Sequence, residues 1–313
     1  MTTLAGVIAA RVEKLVGIRV REVTSLTPRG RVFRCRTDSG SVIAKVGTPQ
    51  DAVALARFAP CGRTPRLLAA DANLTVMEDL AGERLDAVLL RAGDPDAAAD
   101  LLVELATALG TLHAATREER SPARVAAGGF TQFCDALGLP FTEELPPASA
   151  FALTQHDVGP DNCLVTPRGL RVFDFELAAP RDPLTDAATW RMGFPNCGCA
   201  GALPAALCAR MDDAYRRALG RDLPADAFAR AHAERLVERL GRLHGWRVLD
   251  DDWDWGRATG RQRVLALLRG FPRRGVFPAF ERQLDHLYET LQKRWPGVPD
   301  TLPVYPALET SAD

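Results

Sequence analysis

A chain of 313 residues with 47% hydrophobic and 25% charged residues can bury a sizeable core, and this composition is that of a globular protein with one large domain or two lobes. The 39 basic and 40 acidic residues nearly cancel, so no global charge favours binding to nucleic acid or to an anionic membrane. We expect neither partner.

Apolar stretches in the sequence do not have the pattern of targeting or spanning segments. Residues 1 to 20 carry Arg11, Glu13 and Lys14 within their apolar stretch, so we expect no signal peptide. No later apolar run approaches the ~18 residues of a membrane span. The sequence therefore predicts a cytoplasmic protein.

The predicted elements change in kind near residue 82. Residues 4 to 16 have the spacing of an amphipathic helix. Residues 18 to 47 contain three β-branched segments separated by turns with Pro and Gly, which predicts an antiparallel meander. A helix at residues 49 to 59 and two strands within residues 64 to 79 complete a small sheet with one helix on it. From residue 95 to 116, leucines recur at helical spacing behind Pro95.

Helices dominate the rest of the predicted chain. Residues 118 to 150 are rich in Pro, Gly and Ser, which predicts an irregular connection with one short helix. Residues 163 to 176 predict two short strands around a Pro-Arg-Gly turn, and the tail from Trp295 has no regular pattern. Four further helices are predicted near residues 202 to 219, 225 to 244, 256 to 270 and 279 to 294.

The seven cysteines are scattered and do not have the spacing of a disulfide framework. We expect reduced thiols, most of them buried. The closest group, Cys197, Cys199 and Cys208, has poor spacing for zinc and no nearby His, so we do not favour metal binding there.

Two stretches carry side chains suited to phosphate chemistry. Lys45 lies on the predicted third strand, where its ammonium can reach under the preceding turn and pair with phosphate oxygens; that turn has one glycine, Gly30. In "TQHDVGPDNCLV", residues 154 to 165, Asp157 and Asn162 lie five positions apart on a tight loop. Asp174 follows Asn162 by twelve residues, at a strand end.

These motifs resemble those of the aminoglycoside phosphotransferase and choline kinase-like family. "QHDVGPDNCLV" is similar to the catalytic loop of that family, "LRVFDFELA" to its metal-binding strand end and "RDPLTDAA" to its Gly-Asp-Pro segment. "LTVMEDLAG" resembles its hinge between lobes. The resemblance covers residues 18 to 190, with five motifs in the family's order.

The resemblance implies an α+β, bilobal protein-kinase-like fold, with a small antiparallel-sheet N-lobe at residues 1–81 and a larger helical C-lobe at residues 82–313. It also implies transfer of the γ-phosphate of ATP or GTP to a hydroxyl, with Mg²⁺ as cofactor. Mg²⁺ prefers hard oxygen ligands, and one amide and one carboxylate suffice when phosphate oxygens complete the shell. The implied site residues are Asp157 for the acceptor hydroxyl, Asn162 and Asp174 for the metal, Lys45 and Gly30 for the phosphates, and Met77, Glu78 and Leu80 for the adenine.

Two positions depart from the family pattern. The family His stands two residues before the catalytic Asp, where this chain has Gln155, and His156 directly precedes Asp157. The acid that pairs with the strand lysine is normally Glu, and the nearby candidate here is Asp51, one methylene shorter. We therefore expect a changed loop geometry and a weak or water-bridged Lys45 pair.

Several of these residues have a purely structural alternative. Asp and Asn are common turn formers, and a strand lysine can simply protect a sheet edge. Glu176 is either a second metal ligand or a loop brace, and Asp182 and Asp186 are expected to brace loops as caps. The four histidines outside the loop are expected to be packing or surface residues: His113, His232, His244 and His286.

The acceptor is the least determined part of the prediction. "DDDWDWGR", residues 250 to 257, suits either a cation pocket or, as we favour, a solvated loop with two buried tryptophans. A polycationic aminoglycoside is disfavoured because residues 202 to 247 are rich in arginine; a small-molecule hydroxyl or a peptide Ser/Thr remains. Alternatives are AMP transfer and a pseudokinase that supports a partner protein. The arginines include Arg216, Arg217, Arg235, Arg239 and Arg242.

Overall fold

The computed structural model describes residues 3–28, 30–118, 128–141, 145, 148, 150–224, 226–242 and 247–309. Its N-terminal part is a five-stranded antiparallel sheet in the order β1-β2-β3-β5-β4, which confirms the predicted meander and the two later strands. The strands are β1 (Val20–Ser25), β2 (Val32–Thr37), β3 (Gly40–Val46), β4 (Leu67–Ala70) and β5 (Leu74–Glu78).

Two helices accompany this sheet: α1 (Leu4–Val16) and α2 (Gln50–Phe58). The α1 helix begins where the Thr3 hydroxyl accepts the N–H of Gly6, and it ends at Gly17, whose φ of 71° is in the left-handed region that glycine tolerates. Its Ile8 and Val12 pack against alternate, inward-facing sheet residues in one apolar cluster. Alternation along β3 thus buries one face of the sheet.

Helices form most of the C-terminal part. The longest one, α4, begins at Pro95 behind an Asp94 cap and lies against α7 at Gly110, where an added Cβ would be 2.7 Å from the Tyr215 carbonyl oxygen. The helices are α3 (Leu85–Leu89), α4 (Pro95–Ala115), α5 (Gly128–Asp135), α6 (Leu184–Arg191), α7 (Ala205–Leu219), α8 (Ala227–Arg242), α9 (Gly260–Gly270) and α10 (Pro278–Arg294).

Short strands frame the loop that carries Asp157. One small sheet has the order β10-β9-β6 and another the order β11-β8-β7, so the loop leaves one sheet and enters the other. A third pair, β12 with β13, holds the tryptophan-rich segment. The strands are β6 (Glu83–Arg84), β7 (Arg117–Glu118), β8 (Phe151–Thr154), β9 (Cys163–Thr166), β10 (Gly169–Val172), β11 (Ala179–Arg181), β12 (Asp254–Trp255) and β13 (Ala258–Thr259).

The predicted fold class is confirmed: the fold is α+β and bilobal, with an antiparallel N-terminal sheet and a helical C-terminal part. Within the described residues one helix, α4, is long and apolar enough to cross a membrane by length and composition alone. A buried core helix passes the same test, and 56% of the apolar window of α4 is buried, so this feature is weak evidence for a membrane.

The expectation that all thiols are reduced is also wrong. Cys197 and Cys199 form a disulfide within a tight turn, because their single-residue spacing brings the two Cα atoms to 5.0 Å. Of the described free cysteines, Cys61 is partly exposed, and the others are buried as expected: Cys35, Cys134, Cys163 and Cys208.

Candidate active site

The loop between β8 and β9 is fixed through its backbone. Asp186 on α6 accepts the N–H of Gln155 at 2.7 Å and that of His156 at 3.0 Å, one with each carboxylate oxygen. His156 has a φ of 70°, in the left-handed region. At the far side of the loop, the amide of Asn162 donates to the carbonyl oxygen of Asp157 at 2.9 Å and to its carboxylate at 3.2 Å. The two residues singled out in the sequence are therefore in direct contact.

The displaced histidine does not disconnect the loop from the strand that follows it. Gln155 stands where the family has His, and its Nε2 donates to the carbonyl oxygen of Phe173 at 2.6 Å. The His156 ring turns away, with Nε2 at 2.5 Å from Glu238 and Arg235 Nη1 at 3.1 Å and 3.2 Å from its Nε2 and Nδ1. Burial lowers the pKa of His156, and its contact with Glu238 opposes this shift. Gln155 thus links the two loops of the site.

Lys45 lies between two carboxylates. Its Nζ is 2.6 Å from Asp174 Oδ1 and 2.8 Å from Asp51 Oδ2, while the other oxygen of Asp51 accepts the N–H of Phe175 at 2.8 Å. Burial acts to lower the pKa of Lys45, but Asp174 and Asp51 together raise it. The expected weak or water-bridged pair is wrong: Asp51 reaches the lysine directly, because α2 lies close to the β10 strand end.

The predicted metal ligands lie on neighbouring backbone segments. The N–H of Phe173 donates to the carbonyl oxygen of Asn162 at 3.0 Å, which brings Asp174 next to the catalytic loop. The amide NH₂ of Asn162 is taken up by Asp157, so its Oδ1 is the atom left for a cation. An amide oxygen and a carboxylate are a donor set that fits Mg²⁺. Glu176 is 3.6 Å from Lys45 Nζ, a distance that suits a brace as well as a second ligand.

The turn before β2 lies over the strand that carries Lys45. Gly30 has a φ of 61°, and its N–H donates to Thr27, which closes the turn. Just after it, the carbonyl oxygen of Arg31 accepts the N–H of Val46 at 2.7 Å. The register therefore holds Gly30 close to the end of β3, as the phosphate-binding prediction requires.

The predicted hinge begins within β5, where Met77 and Glu78 are still paired with β3, and continues to Leu80. Met77 is buried in the sheet, and the N–H of Glu78 is already used by the carbonyl oxygen of Arg66, while its carboxylate binds Arg168 at 2.7 Å. Leu80 is buried too, and within the described residues its N–H has no hydrogen-bond partner. Leu80 therefore offers the free backbone donor at which an adenine edge could bind.

The sequence reasoning missed Asn196. Its Nδ2 lies 2.6 Å from Asp157 Oδ1, so the carboxylate of Asp157 is held by one amide on each side, Asn162 and Asn196. Next to Asn196, the carbonyl oxygen of Pro195 accepts a hydrogen bond from Arg239 on α8. Asn196 lies in "GFPNCG", and a single polar residue after a turn does not indicate a functional site in the sequence, because its contact with Asp157 is made only in the folded chain.

The tryptophan segment does not present bare rings to a cation. Arg263 and Arg239 lie over the Trp255 ring, with guanidinium carbons 4.2 Å and 5.2 Å from its centroid. Arg247 lies 5.4 Å from the centroid of Trp253. The protein's own guanidinium groups therefore take the place that the cation-pocket hypothesis gave to an acceptor.

The remaining polar residues have mixed outcomes. Asp182 caps α6 by accepting the N–H of Leu184, as expected, and His286 is exposed. His113 does more than pack, since its ring nitrogens lie 3.3 Å from Asp186 and 2.8 Å from the Tyr215 hydroxyl. His232 is buried, which lowers its pKa to about 3, and His244 lies outside the described residues.

The disulfide lies beside the catalytic loop. The Asp161 carboxylate and the sulfurs of Cys197 and Cys199 lie within 4.8 Å of one another, but the sulfurs are bonded to each other. Burial, with repulsion from Asp157, raises the pKa of Asp161 to about 6. The site therefore contains two acidic residues in different surroundings: Asp157 accepts hydrogen bonds from two amides, whereas Asp161 lies beside the disulfide.

Comparison with known proteins gives a match in structure only. No family model and no curated protein sequence matches the chain. Choline kinase LicA from Streptococcus pneumoniae is similar with a TM-score of 0.54 at 15% identity, over 85% of this chain and 97% of that one. The chain has the fold of the choline kinases and antibiotic phosphotransferases.

Two further structures support that fold. Amicoumacin kinase hAmiN, solved with AMP-PNP, Ca²⁺ and Ami, gives a TM-score of 0.52 at 12% identity, over 96% of each chain. Macrolide 2'-phosphotransferase MphH from Brachybacterium faecium gives 0.50 at 18% identity, over 89% of this chain and 98% of that one. The resemblance stated from the motifs is thereby confirmed at the level of the fold.

Proposed function

We propose that this chain is a Mg²⁺-dependent phosphotransferase that moves the γ-phosphate of ATP, or of GTP, to a hydroxyl of a small molecule or of a peptide Ser/Thr. The observation that carries the proposal is the contact of Lys45 from the N-terminal sheet with Asp174 at the β10 strand end, 2.6 Å apart. Gln155 ties that strand end to the loop of Asp157. Similar solved structures are named as kinases and phosphotransferases, which supports the same chemistry.

The chain's own groups suggest a division of labour. Lys45 would bind donor phosphates, and Leu80 would donate its N–H to the base. Asn162 and Asp174 would hold Mg²⁺, whose charge would offset that of the phosphates. Asp157, oriented by two amides, would accept the acceptor's hydroxyl proton in line with the γ-phosphate. Positioning and charge neutralisation would supply most of the rate.

The wider assignments belong to the same proposal. The lobe boundary is placed after residue 81, because the five-stranded sheet ends at Glu78, and β6 pairs with β9. A cytoplasmic location would supply the nucleotide and Mg²⁺ that the reaction needs.

A labelled-nucleotide experiment tests the proposal. The protein is incubated with Mg²⁺ and a small-molecule extract of the source organism, once with γ-labelled and once with α-labelled ATP. Label in a new product from γ-labelled ATP alone supports phosphate transfer, whereas label from α-labelled ATP points to AMP transfer. Asp157→Ala gives the background.

A pseudokinase scaffold for a partner protein is the competing function. It was suggested by the displaced His and by the Asp51 substitution, but Gln155 links the loops and Asp51 binds Lys45 directly. Calorimetry of ATP with and without Mg²⁺, followed by ATP hydrolysis over hours, separates the two. Binding with no hydrolysis and no labelled product would contradict the enzyme and favour the scaffold.

A further inference from the structure

The side of the site next to Asp157 is rich in arginines that have no carboxylate partner. Arg181 on β11, Arg239 on α8 and Arg263 on α9 form no ion pair with any described carboxylate, although all three are buried or half-buried. They donate to carbonyl oxygens instead. Three buried or half-buried cations without counter-charges are costly unless something else compensates them.

Arg239 is the one of the three that is suited to bind a ligand. Arg263 is held by four carbonyl oxygens, those of Cys197, Gly198, Trp255 and Ala258, so its role is to brace loops. Arg239 donates one hydrogen bond, to Pro195, and within the described part of the chain its other N–H groups have no partner. A guanidinium has five N–H donors in a planar fork that matches a carboxylate or phosphate.

A small cavity lies beside this fork. It has a volume of about 30 Å³ and is lined by Arg239, Arg263, Trp253, Trp255 and Pro195, with apolar side chains behind them. That volume admits a single small polar group and not a ring. Pro195 precedes Asn196, whose amide binds Asp157, so the cavity lies within two residue contacts of the carboxylate that would receive the hydroxyl.

No carboxylate of the described residues forms an ion pair with Arg239. Glu238, on the same helix, is shared by His156, Arg235 and Arg242, at 2.5, 2.8 and 3.0 Å. The acidic segment 250–254 lies on the neighbouring loop, but none of its carboxylates pairs with Arg239 in the described structure, and that of Asp252 accepts the N–H groups of Trp253 and Arg261. Burial and the charges of Arg235 and Arg263 lower the pKa of Arg239, while the charges of Asp157 and Glu238 oppose this shift.

We propose that Arg239 binds the anionic group, a carboxylate or a phosphate, of a small hydroxyl-bearing acceptor and thereby places its hydroxyl at Asp157. This inference rests on the proposed phosphotransfer and narrows its acceptor to anionic small molecules. Cationic acceptors such as amino alcohols and aminoglycosides are excluded, because they would meet uncompensated arginines where they need carboxylates.

The test separates acceptors by charge before the reaction. A small-molecule extract of the source organism is divided on an anion exchanger into bound and unbound fractions, and each is incubated with γ-labelled ATP, Mg²⁺ and protein. The labelled product is expected from the bound fraction. Arg239→Gln is expected to lower its rate of formation at limiting acceptor by about tenfold or more, the effect of losing a charge-assisted hydrogen bond. Asp157→Ala again gives the background.

Matched variants make the result specific. Arg210→Gln removes an exposed arginine of α7 that pairs with the exposed Asp100 of α4, and it is expected to change the rate less than twofold. Arg239→Lys keeps the positive charge but loses the planar set of guanidinium N–H donors. Its rate is expected to lie between those of wild type and Arg239→Gln. ATP affinity and thermal midpoint report whether the Arg239 variants are folded. Arg239→Gln should raise KM for the acceptor more than it lowers kcat. A general loss of packing would not have this selective effect on KM.

The outcomes are distinct. Labelled product from the unbound fraction, or product from the bound fraction that Arg239→Gln forms as fast as wild type, overturns the inference and leaves the phosphotransferase intact. Label in neither fraction contradicts phosphate transfer to a small molecule, and the inference falls with it.

Discussion

The two ends of the candidate site balance positive charge in opposite ways. At the nucleotide end, Lys45 is held between Asp51 and Asp174, at 2.8 and 2.6 Å. At the acceptor end, Arg239 and Arg263 are met by carbonyl oxygens and by the ring of Trp255. A cation that already has carboxylates must exchange them for phosphate, whereas one without them has an unmet attraction for an anion. The same fold thus carries one end at which carboxylates outnumber the buried lysine and another end at which buried arginines lack paired carboxylates, with Asp157 between them.

The largest expected effect on activity comes from removing the carboxylate of Asp157, which lies between the two ends. Asp157→Ala should lower phosphate transfer by about 10²- to 10⁴-fold, because a positioned general base is lost. The free energy of unfolding should change by less than about 1 kcal/mol, since two amides lose one partner at a partly exposed position. Single-turnover rates and denaturant titration measure the two quantities. Near-full activity of this variant would contradict the assignment.

At the acceptor end, the residue chosen for substitution is Glu238, because its carboxylate pairs with the buried Arg235. Glu238→Gln should lower the free energy of unfolding by about 3 to 5 kcal/mol, because Arg235 would be left buried without a counter-charge. The control Glu234→Gln lies one turn earlier, where Arg230 keeps a second partner in Asp182, and should cost about 1 kcal/mol or less.

The same variant has a distinctive pH dependence. Burial would raise the pKa of Glu238, but His156 and the arginines around it lower it to about 2. A lowered pKa contributes stability that is present above the unfolded-state value near 4.5 and is lost as the pH falls towards 2. Unfolding measured from pH 7 to pH 2 should therefore show the gap between wild type and Glu238→Gln closing in acid. A constant gap would argue against the charged pair.

The nucleotide end is tested by removing the ammonium of Lys45. Lys45→Met should lower the free energy of unfolding by about 3 kcal/mol, because the buried Asp51 loses its partner, and should weaken ATP binding as well. The double variant Lys45→Met/Asp51→Asn should regain most of the stability but none of the ATP affinity. Arg34→Met, which breaks the more exposed pair between Arg34 on β2 and Asp79 just after β5, should cost less than about 1 kcal/mol.

The smallest effect is expected at Asp161, and it should be a gain. Burial raises the pKa of Asp161 to about 6, so wild type is destabilised as the pH rises through that value, and is unaffected below the unfolded-state value of 3.8. Asp161→Asn should therefore be more stable than wild type at pH 8, by at most about 3 kcal/mol, and equal to it near pH 3. Thermal unfolding at both pH values, without Mg²⁺, measures this. A loss of stability at pH 8 would contradict the shifted pKa.

Much of the fold could be predicted because its elements have local signals. The boundaries of α1, α4 and α10 follow from caps, from Pro95 and Pro278 at helix starts, and from apolar spacing. The buried helix α6 and the short strands β8 and β11 were missed. In α6, seven of the eight residues are buried, so it has no polar face to give a period, and the strands are too short to show alternation.

Like the fold, the candidate site has one part that local sequence signals predict and another part that depends on tertiary packing. The sequence by itself determined that Asp157, Asn162 and Asp174 lie on one strand-loop-strand unit and that Lys45 lies on a strand before it, because these are short-range relations. The tertiary structure alone decided that Gln155 donates to the carbonyl oxygen of Phe173, that Asn196 holds Asp157, and that Arg239 pairs with no carboxylate of the described residues. Those facts depend on which distant segments pack together. Charge compensation is a property of neighbours in space, and a single sequence does not record them.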